Sequence, residues 1–119
     1  MCLIGSDYKW LKLHRGWGKT RALGYIYTAV DVTDYEWLAS MTWYASIGRT
    51  GAIYAFNGST QMQRLILQTV DHRLHSFKEH RLYSDHRNGY TLDNRRFNLR
   101  VLTYSQNRAN QWPYHTVED

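Results

Sequence analysis

At 119 residues, 43% apolar and 15% aromatic, the chain is long enough for one domain with a true core. No apolar run reaches the ~20 residues that a bilayer crossing needs, and "MCLIGSDYKW" turns polar too soon for a secretion signal. The lone Cys2 excludes an internal disulfide and a cysteine-bound zinc knuckle, so the expectation is a cytoplasmic protein without a membrane partner. The net charge is +5, and 11 of the 15 positive residues are Arg. Guanidinium forks match phosphate oxygens, so the charge points to an anionic partner, nucleic acid first.

The chain shows no internal repeat, and its single proline is Pro113. The first third reads as strands. "ALGYIYTAVDV" carries the β-branched and aromatic residues that strands prefer. In "TDYEWLAS", Thr33 with Glu36 three residues on fits a capping box and predicts a short helix from about Asp34. "TWYASIG" and "AIYAF" flank a glycine-containing turn and predict a hairpin, and "NGS" is a further turn. "TQMQRLILQTV" sets Met62, Leu65, Ile66 and Thr69 on one helical face. The aromatics Trp10, Trp17, Tyr25, Tyr27, Trp37, Trp43, Tyr44, Tyr54 and Phe56 are expected mostly in the core.

Residues 71–81, "DHRLHSFKEHR", read as loop. "LYSDH" is strand-like, "RNGYTLDNRRF" is a long loop with Asn-Gly and Asp-Asn turn signals, and "NLRVLT" is a second strand. Thr103 and Gln106 again fit a capping box, and Pro113 supplies a stop for a helix from about Tyr104 to Gln111. The predicted architecture is α+β over 1–119. A small antiparallel sheet with short helices occupies 1–70, and a ββα unit occupies 82–112.

That last unit carries the chemistry. Seven Arg lie between Arg73 and Arg108, around Asp85, His86, Asn98 and Asn107. Phosphodiester hydrolysis needs a base for water and an offset for charge on phosphorus and on the leaving oxygen. A neutral His meets the first need. A hard divalent ion held by one or two protein oxygens meets the second, and Mg²⁺ keeps several waters in such a site. Asp85 and Asn107 offer oxygens of that kind, and Asn98, opening the second strand, can bond loop backbone. Asn88-Gly89 reads as a turn, and Asn94 as a loop partner of Asp93.

"DHRNGYTLDNRRFNLRVLTYSQNRAN" resembles the signature of HNH nucleases, in the His-Asn-Asn branch found in phage-encoded and homing endonucleases. The tight match covers about a quarter of the chain. "VDVTDYEWL", the Trp soon after it and "YA" before a helix are similar, more loosely, to what precedes the motif in such proteins. The resemblance implies a ββα-metal fold and cleavage or nicking of DNA in a bacterium or phage-infected host cell. It implies His86 as general base, Asp85 and Asn107 as ligands of Mg²⁺ (Mn²⁺ or another divalent ion serving too), and Asn98 as the residue steadying the loop behind His86. Arg87, Arg95, Arg96, Arg100 and Arg108 are then expected on DNA phosphates. One such site nicks one strand, and a homodimer would cut both.

The chain departs from the family in two ways. Gln63 stands where many relatives carry a His, so packing or a peripheral DNA contact is expected to differ. Structural zinc is excluded, so the N-terminal part or a partner subunit must hold the motif's shape. The alternative reading is a DNA-binding protein whose motif is idle or works within a larger assembly. His72, His75 and His80 offer a rival transition-metal site, without a helix to align them or a carboxylate arrangement to support it.

Overall fold

The computed structural model describes residues 7–15, 24–71 and 82–109. The fold is mixed α+β with a five-stranded sheet and few helices. In chain order the elements are β1 (Tyr8–Arg15), β2 (Ile26–Asp31), α1 (Val32–Ala39), β3 (Tyr44–Ile47), β4 (Ile53–Asn57), β5 (Thr60–Gln61), α2 (Met62–Gln68), β6 (Tyr83–His86) and β7 (Leu99–Leu102). Residues 104–109 are helical. The five-stranded sheet has the order β2-β1-β3-β4-β5, and β6 and β7 form a separate antiparallel pair. The expected antiparallel sheet needs one correction, because β1 runs parallel to β3 with His14 opposite Tyr44. Among the described residues, no helix is long and apolar enough to cross a membrane.

The two-residue period of the strands sorts their side chains. Leu11 pairs with Thr28 and Leu13 with Ile26, and all four are buried. With Val30, Leu38, Trp43, Met62 and Ile66 they face one core, in which Trp43 donates its indole N–H to the Leu38 carbonyl at 2.9 Å. The other side of β1 and β2 is open. Trp10 is 50% exposed, Tyr27 43% and Tyr25 67%, so these aromatics, with Tyr44, are not core as expected. Pattern alone could not separate the two faces, because aromatic residues occupy both. Trp17 lies outside the described residues.

The hairpin of β3 and β4 forms as predicted, closed by the Gly48 N–H donating to the Ala52 carbonyl at 2.7 Å, with Gly51 at φ 92°. Helix α2 also forms, but its buried face is Met62, Gln63, Ile66 and Leu67, with Thr69 as C-cap. Gln63 is 2% exposed, which makes it a packing residue. The Thr103–Gln106 capping box closes in both directions, at 2.9 and 3.2 Å. The other predicted box does not form. Helix α1 starts at Val32, with Asp31 as N-cap and no side-chain capping bond.

The reason lies in the tertiary structure. Asp31 and Asp34 are both turned onto the segment that follows the long loop. Asp31 accepts the Arg96 backbone N–H at 3.1 Å, and Asp34 takes a two-pronged bond from the Arg96 guanidinium at 2.9 and 2.7 Å. Burial would push the Asp34 carboxyl up, but the Arg96 and Trp37 hydrogen bonds and the Arg96 charge hold it below its ordinary value of 3.8. A carboxylate whose folded value is depressed adds stability above its unfolded value and loses it as pH falls through the folded one. The urea midpoint is therefore expected to drop as pH falls below about 4. Asp34→Asn is expected to flatten that drop, and an equally steep profile in Asp34→Asn would remove the pair from the account.

Candidate functional site

The site is the connection between β6 and β7 and the edge of β2 against which it lies. β6 and β7 are in register with Asp85 opposite Arg100 and His86 opposite Leu99. The loop leaves β6 through the predicted Asn88-Gly89 turn. Gly89 takes φ 78°, and its N–H donates to the His86 carbonyl at 2.9 Å. The left-handed φ suits a residue without Cβ.

Further on, the loop docks on β2. The Ala29 N–H donates to the Leu92 carbonyl and the Asn94 N–H to the Ala29 carbonyl, both at 2.8 Å. An edge strand has free backbone donors and acceptors, and here the loop uses them. The N-terminal sheet thus supports the backbone of the loop.

Asn98, at the end of a 3₁₀ turn over Arg96–Asn98, lies 2% exposed beneath the loop. Its Oδ1 accepts the Asn88 backbone N–H at 3.1 Å, and its Nδ2 donates to the Asn88 Oδ1 at 3.0 Å and the Asp93 carbonyl at 2.9 Å. One amide thus ties the start of the loop to its end. Asp93, 3% exposed, accepts a two-pronged bond from Arg95 at 2.7 and 2.7 Å and a third from Asn88 Nδ2 at 3.0 Å. Burial opposes ionisation of Asp93, but the Arg95 bonds and charge outweigh it and lower its pKa.

His86 ends β6 and is 4% exposed. Its Nε2 lies 2.8 Å from the Asn94 Oδ1. Burial lowers the His86 pKa from its ordinary 6.5, against the opposing effects of the Asn94 bond and of the Asp85 and Asp93 charges. Burial thus favours the neutral imidazole, the form that can accept a proton.

Asp85, one position earlier, pairs across the strands with the Arg100 Nε at 2.8 Å. Asn107 is half-buried on the helical segment, where its backbone N–H donates to the Thr103 carbonyl. The structure thus draws His86 and Asn98 into the loop network, and it places Asp85 on the neighbouring strand's Arg100.

The five arginines divide sharply. Arg95 is 8% exposed, forked on Asp93 and flanked by the Tyr8 and Phe97 rings at 5.3 and 4.6 Å. It serves the fold, and the fork expected on a phosphate is occupied here by the Asp93 carboxylate. Arg96 is exposed but forks onto Asp34, and Arg100 pairs with Asp85. Arg87 and Arg108 are exposed; Arg108 donates to the Tyr104 hydroxyl at 3.1 Å. The three histidines of the rival site, residues 72, 75 and 80, lie outside the described residues. Among the described residues, no group of three or more His, Cys, Asp or Glu could hold a metal.

Sequence reasoning missed Asn94 and Thr28. Asn94 was expected to bond Asp93. Instead it is fully buried and bonds His86, Thr28 and Met62. Its place inside the matched run "LDNRR" was the available signal. Thr28 gave none, being one β-branched residue of a strand. Comparison with protein-family models, with curated proteins and with solved structures found no match to this chain.

Proposed function

We propose that the protein is a small HNH endonuclease that nicks or cuts DNA with a divalent metal, Mg²⁺ by preference. The observation that carries the reading is the placing of His86, whose Nε2 is bonded to Asn94 at 2.8 Å at the start of a loop that Asn98 pins from beneath. A neutral imidazole beside a carboxylate-bearing position is what deprotonation of water at a phosphodiester calls for. In this scheme His86 takes the proton from the attacking water, and exposed Arg87 and Arg108 anchor flanking phosphates. The products carry 5′-phosphate and 3′-hydroxyl ends.

The donors proposed for the metal are the Asp85 carboxylate and the Asn107 amide oxygen, hard oxygens of the type Mg²⁺ takes. The ion, once bound, supplies charge stabilisation at phosphorus and at the leaving oxygen. Arg100 already holds the Asp85 Oδ2, so loading requires Asp85 to be shared between guanidinium and metal, or released by Arg100.

The same ion pair favours a second reading, a DNA-binding protein whose motif is idle. A supercoiled-plasmid assay separates the two. Conversion to open circle with Mg²⁺ supports the enzyme, and conversion to linear plasmid would point to a dimer. DNA binding without nicking in Mg²⁺, Mn²⁺ or Ni²⁺ supports the idle motif. The ligand assignment has its own check. Asn107→Ala is expected to raise the Mg²⁺ concentration for half-maximal nicking roughly tenfold, the lower end of what metal-site losses cost. An unchanged titration would remove Asn107 from the ligand set.

A further inference from the structure

The hydrogen bonds behind His86 leave little freedom in where its proton sits. The Thr28 hydroxyl, buried in β2, donates to the Leu92 carbonyl at 2.7 Å. Its one hydrogen is thereby used, and towards Asn94, 2.9 Å away, it can only accept. The Asn94 group facing it must then be the Nδ2 amide. The Met62 Sδ agrees independently. A thioether has no hydrogen to give, and it lies 3.5 Å from that same Nδ2. With Nδ2 committed to Thr28 and Met62, the Oδ1 faces the His86 Nε2 at 2.8 Å, and an oxygen acceptor there requires a hydrogen on Nε2.

We propose that Thr28 and Asn94 are positioning residues that lock neutral His86 as its Nε2–H tautomer, leaving the proton-accepting lone pair on Nδ1. The relay runs from a backbone carbonyl of the loop, through a strand of the N-terminal sheet, back to the imidazole. It explains why the loop lies on β2, since Leu92, Thr28 and Asn94 all belong to that seam. The opposite amide orientation would set Oδ1 against the Met62 sulfur, acceptor against acceptor. It would also make Thr28 abandon the Leu92 carbonyl, and the loss of one buried hydrogen bond biases the equilibrium roughly tenfold. The catalytic use of that lone pair rests on the nuclease reading above, but the tautomer does not.

Long-range ¹H–¹⁵N correlation of the His86 ring in the full chain, at about pH 8 where an imidazole is neutral, reads the tautomer directly. Wild type is expected to show a pyrrole-type Nε2 and a pyridine-type Nδ1. Thr28→Val keeps the shape and removes the hydroxyl, so both nitrogens are expected to move towards intermediate shifts. Thr28→Ser, which keeps the hydroxyl, is expected to retain the wild-type pattern. In single-turnover nicking, Thr28→Val is expected to lose two- to tenfold in rate with DNA affinity unchanged. A pyrrole-type Nδ1 in wild type overturns the lock, whether or not the valine variant folds. A tautomer indifferent to Thr28→Val overturns the part given to Thr28. Wild type that carries the Nε2–H form yet never nicks supports the lock while the nuclease reading fails. Wild type that nicks with the proton on Nδ1 refutes the lock and keeps the enzyme.

Discussion

His86→Ala is expected to lose plasmid nicking by about 10²–10⁴-fold, the range that a positioned proton acceptor contributes, while still retarding DNA on a gel. The substitution also strips the Asn94 Oδ1 of its donor inside the fold. An unsatisfied buried acceptor costs about 1–3 kcal/mol, so part of any lost activity could come from a loosened loop. His86→Gln separates the two effects, because its amide N–H can serve the Asn94 oxygen but cannot take a proton from water near neutral pH. Both variants are expected to be inactive, with the glutamine variant closer to wild type in melting temperature. Nicking by either variant at the wild-type rate would end the assignment of His86 as the base.

Asp93→Ala is expected to lower stability by roughly 3–5 kcal/mol, the cost of removing one partner from a buried ion pair. Asp93 is 3% and Arg95 8% exposed, and the guanidinium Nη1 is already without a hydrogen-bond partner among the described residues. Without the carboxylate, the arginine stays buried and charged, or drags the loop off β2 as it reaches for water. For a domain of this size the melting temperature should fall by more than about 10 °C. The double variant Asp93→Leu with Arg95→Met is expected to recover much of the loss, because well-packed apolar pairs often replace buried ion pairs at little cost. Thermal unfolding of the three chains decides the matter. A single variant within about 0.5 kcal/mol of wild type would mean that the pair is solvated in solution and does not hold the loop.

The contrast between Arg95 and Arg87 shows why composition is a poor guide to a nucleic-acid surface. Both are Arg within the same basic stretch. One is closed over by Asp93, Tyr8 and Phe97, and the other is exposed. Charge density in a sequence counts both alike. Among the described residues, only the first has a carboxylate at bonding distance, and a guanidinium so occupied offers little to a phosphate.

The local elements could be read from the residues alone. Strands β2, β6 and β7, the β3–β4 hairpin, helix α2, the Asn88-Gly89 turn and the Thr103–Gln106 box were all legible, because each depends on residues within a few positions of one another. Asn98 bonding the backbone of its own loop was legible for the same reason. The tertiary structure alone decided the rest. It set β1 parallel to β3, turned Trp10 and Tyr27 outward, and moved the start of α1 by drawing Asp31 and Asp34 to Arg96. It also joined Thr28 to Asn94 across 66 positions of sequence. Contacts of that span carry no periodicity and no short spacing. They arise when two surfaces with complementary donors and acceptors are brought together by burial of a common core, and the proton on His86 is placed by one of them.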